Sequence, residues 1–340
     1  MRGLAPFVAA TLSGFGTACS TPEAAGAPPV REHARVERGV FGASDDAVRR
    51  VLASAPISKV VKGSGGRSVA FKLSFTNGVE GYFKPEQTFA AHWFSELASY
   101  YLDRELGLGR TPPAIGRSID WKHLSAHLGD DPRTNEVVVR NGVVRGSLVF
   151  WLPEKPVPIE LPSGWEAWLR VDDNDFGLSP FLRYELYERA LQRGARGQRK
   201  RSTVPPPPDF ADRPAELSDL ILFDYLIGNL DRWSRNLTNV RALGASKPLI
   251  FLDNANGFHL QKVPGRTLQD RLTAVQRFRR KTVDAISALD VNKFERRMSA
   301  DPLAPVLTKR HLLELEDRRR RLLEHVADVR QRYGDRAVFW

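Results

Sequence analysis

The sequence of 340 residues contains a single cysteine and no long apolar run. One cysteine, Cys19, excludes an intrachain disulfide framework and any structural zinc site built from cysteines. No apolar run reaches the ~20 residues that a membrane-spanning helix requires. The chain also lacks RNP-like aromatics, a helix-turn-helix signal and zinc-finger spacing. Its net charge of +11 therefore does not by itself indicate nucleic-acid binding, and no nucleic-acid partner is expected.

The first 43 residues have the composition of a targeting segment followed by a linker. Residues 1–18 combine one arginine, about a dozen apolar residues and small residues, which is typical of a secretory signal. The tripeptide before Cys19, Gly-Thr-Ala, resembles the lipobox of bacterial lipoproteins, in which the cysteine is acylated. We therefore predict a signal peptide and lipobox over 1–19 and a flexible tether over 20–43. The expected location is a bacterial cell envelope, with a lipid anchor at Cys19 holding the protein to the membrane.

Residues 44–153 are rich in strand and turn signals. Between residues 57 and 84, the strands ISKVV, SVAFKLSF and VEGYFK alternate with the turns KGSGGR and TNG. Apolar residues at helical spacing predict a helix over 89–108. A second hairpin is predicted over 136–152, around an Asn-Gly turn.

Residues 154–340 have mainly helical patterns. Helices are predicted over 181–193, 216–228, 268–298 and 305–333. A β-rich half followed by a helical half predicts an α+β fold with two lobes, namely an N-lobe over 44–153 and a helical C-lobe over 154–340.

Oxygen-bearing side chains gather in one part of the predicted C-lobe. Asp231 lies in a predicted loop, and Asn236 follows five residues later. Two short predicted strands, about 238–243 and 249–252, then return the chain to its starting point, so Asp253 should lie near Asp231. Carboxylate and amide oxygens suit Mg²⁺ or Mn²⁺. This is the layout of phosphoryl transfer, with Asp231 as catalytic base and Asn236 and Asp253 as metal ligands.

The predicted N-lobe can supply a cover for a nucleotide. The loop between its first two strands contains three glycines, Gly63, Gly65 and Gly66, whose backbone N–H groups could approach phosphate oxygens. Lys84 ends the third strand and is placed like the kinase lysine that contacts the α- and β-phosphates. Glu96, in the helix that follows, is a candidate partner for Lys84.

Several ordered blocks of sequence resemble the four-jointed and secretory-pathway (Golgi casein kinase) family of atypical kinases. The five blocks are GYFKP, FSELASYYLDRELGLGRTPPAIGR, RNGVVRGSLVFWLP, LFDYLIGNLDRWSRNL and LIFLDNANGF. The resemblance covers about residues 57–260. The resemblance implies a divergent bilobal protein-kinase fold that uses ATP with Mg²⁺ or Mn²⁺. The implied acceptor is Ser/Thr of exported proteins or a sugar. By position, Lys84 and Glu96 would form the nucleotide ion pair, Asp231 would be the base, and Asn236 and Asp253 would hold the metal.

Other functions stay open at this point. The first is a nucleotide-binding pseudokinase that regulates a partner. It is suggested by two departures from the family's motifs: Trp233-Ser234 where many members have His-rich residues after D-R, and D-N-A-N-G instead of D-N-G. The second is a basic envelope binding module, suggested by the charge alone. The third is a relative of lipid or small-molecule kinases, which share the D-R-x-x-x-N loop and a later metal-binding Asp.

Overall fold

The computed structural model describes residues 41–42, 44–88, 92–171, 210–233, 237–244, 247–260 and 266–340. The predicted signal peptide, Cys19, almost all of the tether, the predicted helix over 181–193 and Asn236 lie outside these residues. The described elements belong to one compact unit of the chain, Glu37–Trp340.

The first part of the chain folds into a five-stranded antiparallel sheet preceded by a helix. Helix α1 spans Asp45–Ser54 and begins at Ser44, whose hydroxyl accepts a hydrogen bond from the Ala47 N–H. The strand order is β1-β2-β3-β5-β4. The strands are β1 (Ile57–Lys62), β2 (Phe71–Phe75), β3 (Glu80–Pro85), β4 (Ala114–Asp120) and β5 (Val143–Phe150).

The two faces of this sheet have different roles, because successive side chains of a strand point to opposite faces. Phe71 and Phe83 lie on one face, in a buried apolar cluster that includes Leu52 of α1. Tyr82 and Lys84 alternate with Phe83 and therefore lie on the other face. That face is the one against which the candidate site is built.

The predicted hairpin over 136–152 is wrong in its first arm. The turn itself is present, since Asn141 and Gly142 have φ values of 50° and 75°, as a two-residue type I′ turn requires. Strand β5, however, pairs with β3 on one side and β4 on the other. Both edges of β5 are occupied from Gly146 onward, and residues 136–140 make only isolated bridges, Val137 with Gln87 and Arg140 with Val143.

Eight further α-helices follow α1 in the described residues. They are α2 (Trp93–Glu105), α3 (Trp121–Ser125), α4 (Arg213–Ile227), α5 (Arg266–Ala274), α6 (Arg280–Ser287), α7 (Val291–Met298), α8 (Lys309–Tyr333) and α9 (Asp335–Val338). Single-turn 3₁₀ helices span Pro132–Glu136, Trp165–Leu169 and Asp231–Trp233. In the described residues, no helix combines the length and apolar character needed to cross a membrane.

One long helix predicted over 268–298 is wrong, because three helices occupy that range. Asp290 ends the continuity before α7, since its carboxylate accepts hydrogen bonds from the N–H groups of Asn292 and Lys293. Before α6, the Phe278 N–H donates to the Val338 carbonyl near the end of the chain, at 2.8 Å. A local cap and a long-range pairing therefore break the helix. The helix predicted over 305–333 is present from Lys309 onward.

Helix α4 lies at the centre of the helical region, and all fifteen of its residues are buried. A small three-stranded sheet is formed by β6 (Val157–Pro158), β7 (Arg241–Ala242) and β8 (Leu249–Ile250). It lies beside the amino-terminal part of α4, where the Leu249 N–H donates to Glu216 Oε2 at 3.3 Å. The return of the chain through β7 and β8 brings the segment after Ile250 back to the end of α4, where the Phe258 N–H donates to the Ile227 carbonyl at 2.5 Å.

Candidate active site

Lys84 joins three separate elements at one point. Its Nζ lies 2.5 Å from Glu96 Oε1 on α2 and 2.7 Å from Asp253 Oδ1, in the segment after β8. The side chains of Lys84 and Glu96 are 12% and 3% exposed, whereas that of Asp253 is 50% exposed. One side of the cluster is therefore closed by protein, and the Asp253 side faces solvent.

The charges in this cluster support one another. Burial disfavours the ammonium of Lys84, but Asp253 and Glu96 outweigh it and raise the pKa of Lys84 above its ordinary value. The ammonium in turn lowers the pKa of Asp253, although burial acts in the opposite direction. At neutral pH the site thus presents a fixed cation beside a half-exposed carboxylate. Such a pair can face phosphate oxygens and a divalent cation at the same time.

The start of α2 is fastened to the segment that follows Asp253. Three hydrogen bonds make this connection: the His92 N–H with the Ala255 carbonyl (3.0 Å), Ser95 Oγ with the Gly257 carbonyl (2.5 Å) and His92 Nε2 with His259 Nδ1 (3.1 Å). Glu96 lies in the first turn of α2. Its position relative to Asp253 is therefore set by backbone and side-chain contacts on both sides.

Asp231 lies in the loop that leaves α4. The helix ends at Gly228, whose φ of 72° is the left-handed conformation that glycine adopts without strain. Asn229, fully buried, accepts a hydrogen bond from the Asp231 N–H at 3.2 Å and places its Nδ2 3.5 Å from the Asp253 carbonyl. Asp231 itself is exposed. The loop therefore exposes Asp231 to solvent, while Asn229 holds the start of the loop beside the Asp253 segment.

Asp253 has an unusual backbone conformation. Its φ is 56°, in the left-handed region that non-glycine residues seldom occupy. Such residues persist only where the surroundings hold them in place, and they are common at functional sites. The two residues beside Asp253, Leu252 and Asn254, accept hydrogen bonds from the buried side chain of Arg232. The sequence analysis did not single out Arg232, and only its position directly after Asp231 could have indicated a role.

The glycine loop between β1 and β2 contains one glycine that packing requires. A Cβ atom on Gly63 would lie 2.4 Å from Tyr82 Oη and 3.1 Å from the Ala70 carbonyl oxygen. The surroundings of Gly65 and Gly66 are open, and Gly66 has a φ of 87°. Gly63 thus allows Tyr82 to reach the loop, whereas the other two glycines leave backbone accessible from outside.

The loop is also tied down by charged groups that the sequence analysis missed. Arg133 Nη1 donates to the Gly66 carbonyl at 3.0 Å, and its Nη2 lies 2.6 Å from Asp131 Oδ2. Asp131 also pairs with Lys62, at 2.7 Å. Asp131 and Arg133 are distant in sequence from the loop, so no local pattern could reveal these contacts.

The donor set fits a metal ion that binds together with a nucleotide. In the described part of the chain, no group of three His, Cys, Asp or Glu side chains is arranged to hold a metal. Asp231 and Asp253 offer two carboxylates, and Asn236 lies outside the described residues. Mg²⁺ and similar hard cations are commonly held by one or two carboxylates together with substrate phosphates. The half-exposed carboxylate of Asp253 can therefore serve as such a ligand together with the phosphates.

Solved structures share this architecture. The structure of hydra Fam20 with sugar covers 87% of this chain and 93% of its own, with a TM-score of 0.61 and 21% identity. The Golgi casein kinase with Mn/ADP bound covers 87% of this chain and 78% of its own, with a TM-score of 0.60 and 17% identity. The chain therefore has the Fam20 kinase-like fold. The prediction of an α+β fold with a β-rich first region and a helical second region is confirmed.

Part of the chain also matches a model of a protein family. Residues 202–338 match the model described as Golgi casein kinase, C-terminal, Fam20. This range includes Asp231 and Asp253 but not Lys84 or Glu96. Residues 202–338 are thus similar to this family, and the resemblance stated from the sequence blocks is confirmed.

Curated relatives are similar over most of the chain. Human extracellular serine/threonine protein kinase FAM20C is 25% identical over 325 residues, covering 86% of this chain and 55% of its own length. Zebrafish glycosaminoglycan xylosylkinase is 26% identical over 323 residues, covering 84% and 74%. Mouse four-jointed box protein 1 is 27% identical over 339 residues, covering 89% and 68%. The chain thus spans little more than half the length of the human relative.

Proposed function

We propose that this protein is an ATP-dependent kinase that transfers the γ-phosphate to a hydroxyl group. The observation that carries the proposal is Lys84, which bonds at once to buried Glu96 and to half-exposed Asp253. This cluster lies in a Fam20 kinase-like fold, and the match to the Fam20 family model includes the loop with Asp231. A fixed cation beside an accessible carboxylate suits a nucleotide with its divalent metal.

In the proposed reaction, each residue has a separate task. Lys84 binds the α- and β-phosphates, and the backbone N–H groups near Gly65 and Gly66 lie over the phosphate chain. Asp231 accepts the proton of the acceptor hydroxyl as that oxygen bonds to the γ-phosphorus. The bond from the γ-phosphorus to the β–γ bridging oxygen breaks, and ADP leaves. The exposure of Asp231 supports an acceptor that approaches from solvent.

The metal site is part of the same proposal. Asp253 and Asn236, together with nucleotide phosphates, would hold Mg²⁺ or Mn²⁺, and the cation would neutralise negative charge on the phosphates. The role of Asn236 rests on its spacing of five residues after Asp231. The presence of Mn/ADP in the Golgi casein kinase structure supports this choice of cofactors.

The proposed acceptor is a serine or threonine of an exported protein, or a sugar. Relatives named as a serine/threonine protein kinase and as a glycosaminoglycan xylosylkinase support both acceptor classes. The direct test supplies γ-labelled ATP and Mn²⁺ or Mg²⁺, with dephosphorylated casein or a xylose-bearing oligosaccharide as acceptor. Label transfer is expected in the wild type and should be lost in Asp231→Ala and Asp253→Ala.

The control is Asp130→Ala, which removes an exposed carboxylate elsewhere in the N-lobe and should keep activity. Transfer that survives both Asp231→Ala and Asp253→Ala would refute the proposal. A wild type that is stabilised by ATP and Mn²⁺ yet labels neither acceptor nor itself would instead be a pseudokinase. No response to nucleotide, together with steep salt-dependent binding of polyanions, would favour the basic binding module.

We also propose that the protein is exported and anchored by a lipid on Cys19. The signal-like composition of residues 1–18 and the small residues before Cys19 support this, and the human relative is named as an extracellular kinase. Labelled palmitate supplied to expressing bacteria should appear in the wild type and not in Cys19→Ser. Equal labelling of both, or no labelling of either, would end the lipid-anchor proposal.

A further inference from the structure

Arg232, the residue after Asp231, is the largest fully buried side chain among the described residues. Its Nε lies 2.8 Å and 3.0 Å from the two carboxylate oxygens of Asp224 on α4. Neither side chain has any exposed surface. The guanidinium therefore lies in the protein interior with one carboxylate as its counter-charge.

The remaining donors of Arg232 reach the chain that surrounds Asp253. Nη1 donates to the Leu252 carbonyl at 2.5 Å and to the Asn239 carbonyl at 3.2 Å, and Nη2 donates to Asn254 Oδ1 at 2.6 Å. Leu252 and Asn254 are the two neighbours of Asp253. The guanidinium of Arg232 thus bonds the residues on both sides of Asp253, and Arg232 itself directly follows Asp231 in the chain.

A buried ion pair carries a large desolvation cost that apolar side chains do not have. Desolvating both charges costs several kcal/mol, so an apolar residue of similar volume often gives equal or greater stability. A guanidinium offers what an apolar residue lacks, namely five donors in a rigid plane that fix several acceptors in direction and distance. Here the acceptors belong to α4, to the segment before β7 and to the Asp253 segment. The contacts therefore fix geometry between segments.

We propose that Arg232 is a positioning residue that sets the distance between the carboxylates of Asp231 and Asp253. The inference rests on the proposed kinase function, in which those two groups act on the same nucleotide. It also accounts for the left-handed backbone of Asp253, because the bonds to both neighbours hold that conformation in place. Arg232 itself is too deeply buried to touch substrate.

The test compares Arg232→Lys with Arg213→Lys in the full chain. Arg213 is also buried and pairs with a carboxylate of α4, Glu216, at 2.8 Å, but it lies at the opposite end of that helix. Both changes keep the charge and remove the planar fork. Thermal melting and circular dichroism establish that each variant is folded. The readouts are the Mn²⁺ concentration that half-saturates ADP binding, measured by calorimetry, and kcat separated from KM for ATP.

Arg232→Lys is expected to raise the half-saturating Mn²⁺ concentration and to lower kcat, each by about tenfold or more, the range seen when residues that orient metal ligands are changed. Arg213→Lys should change the melting temperature without changing the Mn²⁺ dependence. Equal Mn²⁺ dependence and kcat in the two variants would overturn the positioning role while leaving the kinase proposal intact. A wild type that binds no Mn²⁺ and nucleotide would overturn both.

Asn254→Ala is the second variant, in case Arg232→Lys does not fold. It removes the acceptor of the Nη2 bond, together with the bond from Asn254 Nδ2 to the Phe251 carbonyl, and leaves the buried ion pair in place. The expected result is a smaller shift of the Mn²⁺ dependence in the same direction. A folded Asn254→Ala with wild-type Mn²⁺ dependence and kcat would contradict the proposal.

Discussion

Lys84 shows how much one residue can decide when it joins elements that are distant in sequence. Glu96 and Asp253 lie 12 and 169 residues from it, yet both are within 2.7 Å of its Nζ. Each of the two acids is placed by a different part of the fold. Removal of the lysine therefore removes a cation that both acids contact and leaves buried Glu96 without this partner.

We predict that Lys84→Met lowers phosphate transfer by about 100-fold or more, because a preorganised cation facing the phosphates is lost. The matched control is Lys72→Met. Lys72 is on the adjacent strand, opposite Tyr82 and on the same face of the sheet. Its Nζ lies 2.7 Å from Glu80 Oε2, and both side chains are about one-third exposed. Transfer of label from ATP is measured for both variants after circular dichroism confirms folding. Equal loss in the two variants, or no loss in Lys84→Met, would contradict the role given to Lys84.

At the scale of elements, the glycine loop depends on close packing against the neighbouring strand. Gly63 packs against the hydroxyl group of Tyr82. The ring of Tyr82 in turn contacts the ring of Trp151, with 5.6 Å between the ring centroids. The loop is thus held by two contacts, one with Tyr82 of β3 and one with Arg133. Gly65 and Gly66, which are proposed to face the phosphates, have no such packing, since an added Cβ atom there would meet no atom within 4 Å.

We predict that Gly63→Ala destabilises the protein by about 1–2 kcal/mol, the usual cost of overpacking, and weakens nucleotide binding. Tyr82→Phe removes the atom that the new methyl group would meet, so the double variant should recover part of both losses. Gly65→Ala is the control and should change stability little. Urea unfolding and ADP binding are the measurements. A Gly63→Ala protein with the stability of Gly65→Ala would show that the loop does not pack as described.

The start of α8 contains a buried histidine that should make the protein sensitive to acid. His311 caps the helix by exchanging hydrogen bonds with Thr308. Burial lowers the pKa of His311 to about 4, and nearby His92 and Arg318 also oppose its charge. In the unfolded chain the pKa is about 6.5. Below that value the unfolded state takes up a proton that the folded state does not.

We therefore predict that stability falls as the pH drops from about 6.5 to about 4, and that His311→Gln reduces the fall. Glutamine can fill the same capping position without titrating. The difference between the two proteins should reach about 2–3 kcal/mol near pH 4, since one pKa unit corresponds to about 1.4 kcal/mol. Urea unfolding at pH 7, 5.5 and 4.5 measures it. Parallel pH profiles for the two proteins would rule out His311 as the source.

At the scale of the whole molecule, the proposed site brings together the sheet region and the helical region. Lys84 comes from the sheet, Glu96 from α2, and Asp231 and Asp253 from the segments beyond α4 and β8. A ligand that contacts all of them would add a connection between the two regions to those that the fold already makes, such as the bond from the Gly116 N–H to Asp301 Oδ2. Its binding should therefore stabilise the fold as a unit.

We predict that ADP with Mn²⁺ raises the melting temperature by an amount that corresponds to about 2.7 kcal/mol at a hundredfold excess over Kd. ADP without metal should stabilise less. Asp253→Asn should abolish the contribution of Mn²⁺ while keeping a hydrogen-bond partner for Lys84. Differential scanning calorimetry is the measurement. Equal stabilisation of the wild type and Asp253→Asn by ADP with Mn²⁺ would contradict a metal-binding role for Asp253.

The sequence by itself determined the features that depend on near neighbours. Alternation of apolar residues predicted β1, β2 and β3, and the glycine after α4 marked the end of that helix, because both are local consequences of periodicity and backbone freedom. The order of the motifs also identified Lys84, Glu96, Asp231 and Asp253 as candidates. Their assigned roles, and that of Asn236, stay predictions for the experiments above.

Only the tertiary structure decided what depends on distant partners. The segment 136–140 lost its strand because β5 was already paired on both sides, and the helix predicted over 268–298 was broken in part by a contact with Val338. Arg133 on the glycine loop and Arg232 between the two acidic segments likewise have partners far along the chain. Such contacts depend on which surfaces meet after the elements pack, and a pattern of neighbouring residues does not contain that information.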